Sequence, residues 1–203
     1  FFHLLPVNQF ASPPLTFAQM ASGKSQHPFK TERDFRNFIS RAQGFSLWVD
    51  TAIANMKEGV ARGIVQPKIL MERVLPQLEP LMTDDPEKNV LFGPLQMIPA
   101  DLAAADKDRL AADYTAAIRQ IMLPAYARLH AFIKADYLPH CRDTAGIGSL
   151  PGGQEAYASS VRWQTTTELT PEQIHGIGLR EVARIKGEME KIRVRVGFKG
   201  TLP

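Results

Sequence analysis

With 203 residues, 44% of them hydrophobic and 22% charged, the chain has the makeup of globular protein and not of a disordered or membranous one. Its formal net charge of +3 is spread over several segments, which argues against a nucleic-acid binder that gathers its cations on one face. The single cysteine, Cys141, excludes an intrachain disulfide, and no apolar run reaches the roughly 18 residues of a membrane span.

Residues 1–30 form an irregular apolar opening. Phe1, Phe2, Leu4, Leu5, Phe10, Leu15 and Phe17 keep no lasting period, and Pro6, Pro13 and Pro14 interrupt them. Only a short helix over residues 15–20 is expected, in a segment that packs along another surface. FFHLLPV lacks the basic start of a signal peptide. A first residue of Phe instead of Met suggests a processed or truncated chain.

A helical domain over 31–203 follows, with helices expected near 31–43, 46–62, 67–82, 103–136, 154–165 and 171–196. Thr31 and Asp34 have the spacing of a capping pair. Phe35, Phe38, Ile39 and Ala42 carry the first stripe, which Gly44 is expected to break. Val49, Ile53, Met56 and Val60 carry the second, with Gly63 placed to end it. Pro67 suits the first turn of the third helix, and Pro76 should kink or shorten it. Asp84, Asp85, Pro86, Gly93, Pro94 and Pro99 mark a connection. Leu110, Tyr114, Ala117, Ile121, Ala125, Leu129 and Phe132 form the next stripe, which Pro124 should divide into one kinked or two abutting helices. A glycine-rich loop leads to Tyr157 and Val161, where helix is preferred over a competing strand of alternating Val161, Trp163, Thr165 and Thr167. Thr170, Pro171 and Gln173 then make a capping box with proline at the first helical position. Gly178, Val182, Ile185, Met189, Ile192 and Val196 follow at helical spacing, a seam that calls for partner helices, and Gly197 ends it. No repeat and no sheet are expected, so the fold class is all-α.

The residues offer little chemistry of their own. His3, His27, His130, His140 and His175 are scattered, and none falls in the His-Glu-x-x-His spacing that puts two imidazoles on one helix face. His140 and Cys141 are neighbours on a loop and read as structural. Gly146, Gly148, Gly152 and Gly153 do not make a phosphate-binding pattern. Arg184, Lys186, Lys191, Arg193, Arg195 and Lys199 are interleaved with Glu181, Glu188 and Glu190, so local pairing on a solvated face is expected. His175 stands in the first turn of the capped helix, with Tyr157, Thr165, Thr166 and Thr167 upstream. Tyr157, Thr165, Thr166 and His175 are therefore the candidate substrate-binding residues; the bland alternative has the hydroxyls satisfying caps and loop backbone. No catalytic residue and no metal ligand is assigned.

Several stretches are similar to the bacterial domain-of-unknown-function family 885. They are HPFKTERDFRNF at 27–38, MKEGVARGIVQPKILMERVLPQL at 56–78, LPAYARLHAFIKADYLPHCR at 123–142, PGG with Tyr157, TTTELTPEQIHGIGLREVARIKGEM at 165–189, and GFKG at 197–200. The resemblance implies a much longer, largely helical parent, exported to the periplasm or lipid-anchored. It further implies a downstream His-Glu-x-x-x-Gly-His-like helix like that of zinc metallopeptidases, hence metal-assisted hydrolysis of a peptide-like substrate. None of those motif residues occurs in the 203 residues. The implied zinc belongs to the full-length parent, and this chain, inactive alone, is expected to form part of a substrate groove. Its implied partners are the remainder of its own polypeptide and a peptide substrate. The competing expectation is a non-enzymatic helical module that binds a protein or peptide through residues 174–196 or the apolar N-terminus.

Overall fold

The capping pair at Thr31 forms as the spacing predicts. The Asp34 amide donates to Thr31 Oγ1 at 3.3 Å, and the Thr31 amide donates back to the Asp34 carboxylate at 2.9 Å. From this start one helix runs unbroken over Glu32–Ala61 (α2) in the computed structural model, which describes residues 1–10 and 12–201. The break expected at Gly44, and with it the division into helices 31–43 and 46–62, is corrected. A lone helical glycine costs only about 1 kcal/mol relative to Ala. Against that stand Phe35, Phe38, Ala42, Phe45, Val49, Ala52 and Met56, all buried along one face on both sides of the glycine. Packing therefore carries the helix across. Gly63, with φ of +68°, follows the last turn, as its position suggests.

Around α2 are α1 (Pro13–Ala21), α3 (Lys68–Leu78), α4 (Ala104–Ala117) and α5 (Leu123–Phe132). Pro67 caps α3 from just outside instead of occupying its first turn, and Pro76 sits in its last turn, beyond which 79–82 tighten into a 3-10 turn. Pro124 does not break the rod from α4 to α5. A π-turn over Ile118–Met122 precedes it, closed by the Leu123 amide on the Ile118 carbonyl. The wider turn takes up the residue whose missing N–H and bulky ring an α-turn would not fit. A second π-turn, Ile133–Tyr137, precedes Pro139 in the same way.

The N-terminal segment is built into this core. Leu4 and Val7 are fully buried, and Phe17 stacks on Phe45 at 4.1 Å between ring centroids. Gln66 Nε2 donates to the Val7 carbonyl, and the fully buried Tyr126 hydroxyl donates to the Pro14 carbonyl at 2.7 Å. The irregular stretch thus finds its partners at distant positions, from Phe45 to Gln66 and Tyr126. Its helix α1 is longer than the expected 15–20. The compact units divide not at residue 30 but after Gly146: Phe1–Gly146 is the first and the second begins at Ile147.

The second unit holds α6 (Gly153–Thr165) and α7 (Pro171–Arg195). Gly153 begins α6 hard against the Ile147 carbonyl, where any Cβ would collide. The strand alternative over 161–167 is not taken up. All described elements are helical; the sole β-type pairing among the described residues is an isolated bridge between Pro67 and Arg142.

Candidate functional site

In the second unit, the Thr170 capping box forms in both directions: the Gln173 amide donates to Thr170 Oγ1 at 3.2 Å and the Thr170 amide to Gln173 Oε1 at 2.8 Å. Upstream, Thr165 Oγ1 donates to the Val161 carbonyl at 2.8 Å and lies 3.1 Å from Thr167 Oγ1, which accepts from the Leu169 amide. Thr166 turns the chain out of α6 with φ of +55°, a left-handed conformation unusual for a β-branched residue. The hydroxyl of Thr165 is thus engaged with backbone and loop. Tyr157, Thr166 and His175 all face solvent, while Thr165 is half-buried. Among the described residues no hydrogen bond joins Tyr157, Thr166 or His175 to one another.

What dominates this unit is the face of α7. The helix is 25 residues long, and none of its residues is buried. Val182, Ile185, Met189 and Ile192 stand between 39% and 52% exposed along the predicted seam. At its end Met189, Ile192, Val196 and Phe198 surround an apolar notch of about 250 Å3. The charged residues pair locally as expected: Arg184 with Glu181, Lys191 with Glu188 and Arg193 with Glu190, each three residues apart at 2.5–2.9 Å, Arg193 also lining the notch. An amphipathic helix ordinarily buries such a stripe against a partner.

The first unit carries a feature that the sequence reading missed. Between α1 and α2 lies a groove of about 540 Å3, walled by Phe17, Met20, Phe45 and Trp48 and open above Gly44, with Arg41 at its rim. Phe17, Phe45 and Trp48 form a nearly parallel aromatic ladder, 4.1 Å and 6.2 Å between successive centroids. The available signal was a glycine within an otherwise aromatic helical stripe, which reads equally as a break.

Burial sets the chemistry of the remaining titratable groups. Desolvation pushes the Cys141 thiol up to about 11, so it is protonated at neutral pH, and its Sγ lies 3.5 Å from the Tyr137 carbonyl. This is opposite to what a nucleophilic thiol requires. Desolvation also raises Tyr114, Tyr126 and Tyr137 well above the usual phenol. Among the described residues no group of three or more His, Cys, Asp or Glu side chains could hold a metal ion.

These features define an all-α protein with one large helical core and a second, smaller unit that presents an unpartnered amphipathic helix. Residues 3–203 match the model of a family described as bacterial protein of unknown function (DUF885), and the chain belongs to that family. It is also similar to the crystal structure of the "putative lipoprotein" from Colwellia psychrerythraea, at 25% identity and a TM-score of 0.85. That match covers 96% of this chain and 33% of the other, so the chain spans about a third of the length of that relative. Comparison with the curated proteins gives no match. No helix of the described residues is long and apolar enough to cross a membrane.

Proposed function

We propose that this chain is the helical, non-catalytic portion of a metal-dependent hydrolase acting on peptide-like substrates outside the cytoplasm, and that α7 packs against the remainder of that polypeptide to form one wall of the substrate groove. The observation that carries the reading is the seam of α7, a well-capped helix whose apolar stripe has no buried residue among those described. The threefold greater length of the similar lipoprotein supplies room for a partner surface and for a metal centre elsewhere. Tyr157 and His175, exposed beside that seam in sequence, are the side chains proposed to meet substrate.

The test compares the 203-residue chain with the longest polypeptide its gene encodes. Metal content by mass spectrometry and cleavage of a peptide mixture are read for both. The longer product should carry stoichiometric zinc and cleave peptides until chelated, while the 203-residue chain should do neither. A longer product without metal or cleavage, or stoichiometric zinc on the 203-residue chain, would overturn the reading.

A further inference from the structure

The groove between α1 and α2 has a composition that selects its occupant. Its long wall is aromatic and apolar, built from Phe17, Phe45 and Trp48 with Met20 beside them. A space of about 540 Å3 is within the range that holds small organic ligands. Among the described residues no acidic side chain lines it, and the one charged group there is Arg41. Arg36 in α2 and Arg62 at its C-terminal cap are held by Glu32 and Glu58, whereas among the described residues the Arg41 guanidinium donates only to the Met20 sulfur, at 3.3 Å. Thioether sulfur is a weak acceptor, so a carboxylate displaces it at little cost.

Gly44 lines the groove, and a Cβ there would meet nothing within 4 Å, as at the exposed helical glycines Gly178 and Gly187. The residue weakens the middle of α2 without relieving any contact. What it makes is space above the aromatic ladder.

We propose that this groove binds an amphiphilic carboxylate, with its hydrocarbon chain along Phe17, Phe45 and Trp48 over Gly44 and its head group on Arg41. The site is contained within the first unit and does not depend on the hydrolase reading.

Trp48 reports occupancy directly. The protein has two tryptophans, so Trp163→Phe leaves Trp48 as the sole indole. In that background decanoate, kept below its micellar concentration, should change Trp48 emission saturably with one site per chain. Decyltrimethylammonium, with the same chain and opposite head charge, should bind at least tenfold more weakly. Arg41→Gln should reduce decanoate affinity about tenfold and remove the preference between the two heads. Gly44→Leu should fill the groove and abolish the response, with helical circular dichroism and thermal midpoint at least those of the parent, because Leu is the better helix former. The proposal is overturned by a response that does not saturate, by equal affinity for both amphiphiles, or by undiminished decanoate binding in Gly44→Leu.

Discussion

Replacing Tyr126 by Phe removes one oxygen from a fully buried ring and with it the bond that ties α1 to the rod formed by α4 and α5. The Tyr126 hydroxyl donates to the Pro14 carbonyl at 2.7 Å, and Pro14 is itself buried. Loss of such a bond, leaving a buried acceptor short of a partner, costs about 1–2 kcal/mol. Tyr114 offers an internal control. It is equally buried, between Phe29, Phe35 and Phe38, but its hydroxyl has no partner among the described residues. Tyr114→Phe removes an unsatisfied polar atom and should leave stability unchanged or raise it by up to about 1 kcal/mol. The same chemical change at two sites in one core should therefore differ by about 2 kcal/mol. Urea unfolding followed by Trp48 fluorescence in the Trp163→Phe background reads the first unit alone, and equal m-values would confirm a common unfolded state. The reasoning is refuted if Tyr126→Phe proves no more destabilising than Tyr114→Phe.

Other outcomes follow from the same structure. A Cys141 thiol shifted to about 11, against 9.0 for a free one, holds about a hundredfold less thiolate at pH 8, so iodoacetamide should alkylate the native chain one to two orders of magnitude more slowly than the urea-unfolded chain. The three buried tyrosines are held neutral, with folded-state pKa values above the unfolded value near 10. Their contribution is fully present below pH 10 and is lost as pH rises beyond it, because the unfolded chain then releases protons that the folded one retains. Unfolding midpoints should thus begin to fall above about pH 9, where Cys141 ionises in the unfolded chain, and fall more steeply above about pH 10, less so in Tyr114→Phe. Thr170→Ala removes the side-chain half of a capping box, the Thr170 Oγ1 acceptor of the Gln173 amide, and should lower helical content of the second unit at a cost of about 1 kcal/mol, seen by circular dichroism on heating. Val182→Lys and Ile185→Lys lie on an exposed stripe and should change the stability of the 203-residue chain by no more than about 0.5 kcal/mol in thermal unfolding.

The elements legible in the sequence are those whose cause is local. Thr31 with Asp34 and Thr170 with Gln173 announce helix starts because a side chain and an amide three residues apart satisfy each other whatever surrounds them. Gly63 and Gly197 mark helix ends for an equally local reason, their φ values of +68° and +69°. The α7 seam was likewise visible as spacing alone. What stayed hidden depends on distant partners. Gly44 looks like a break until the core beneath Phe38, Ala42 and Phe45 is known, and the division at Pro124 takes the form of a π-turn that the spacing does not announce. The opening 30 residues have no period because their order comes from Gln66 and Tyr126, not from neighbours. The candidate site divides in the same way. The threonines before α7 could be placed by sequence, while the groove could not, since Phe17 and Trp48 meet only when α1 lies on α2.

The claim that the α7 face is a packing surface for the rest of the protein can be tested at one side chain. Met189 lies in the middle of the seam and is 39% exposed in this chain. Its oxidation by dilute peroxide, followed by peptide mass spectrometry, should proceed in the 203-residue chain at the rate of a solvent-accessible methionine. In the longest polypeptide the gene encodes, the account requires that rate to fall at least tenfold while the exposed Met97 of the first unit serves as a reference. Oxidation of Met189 at the same rate in both would show that the seam stays in solvent, and would contradict the account.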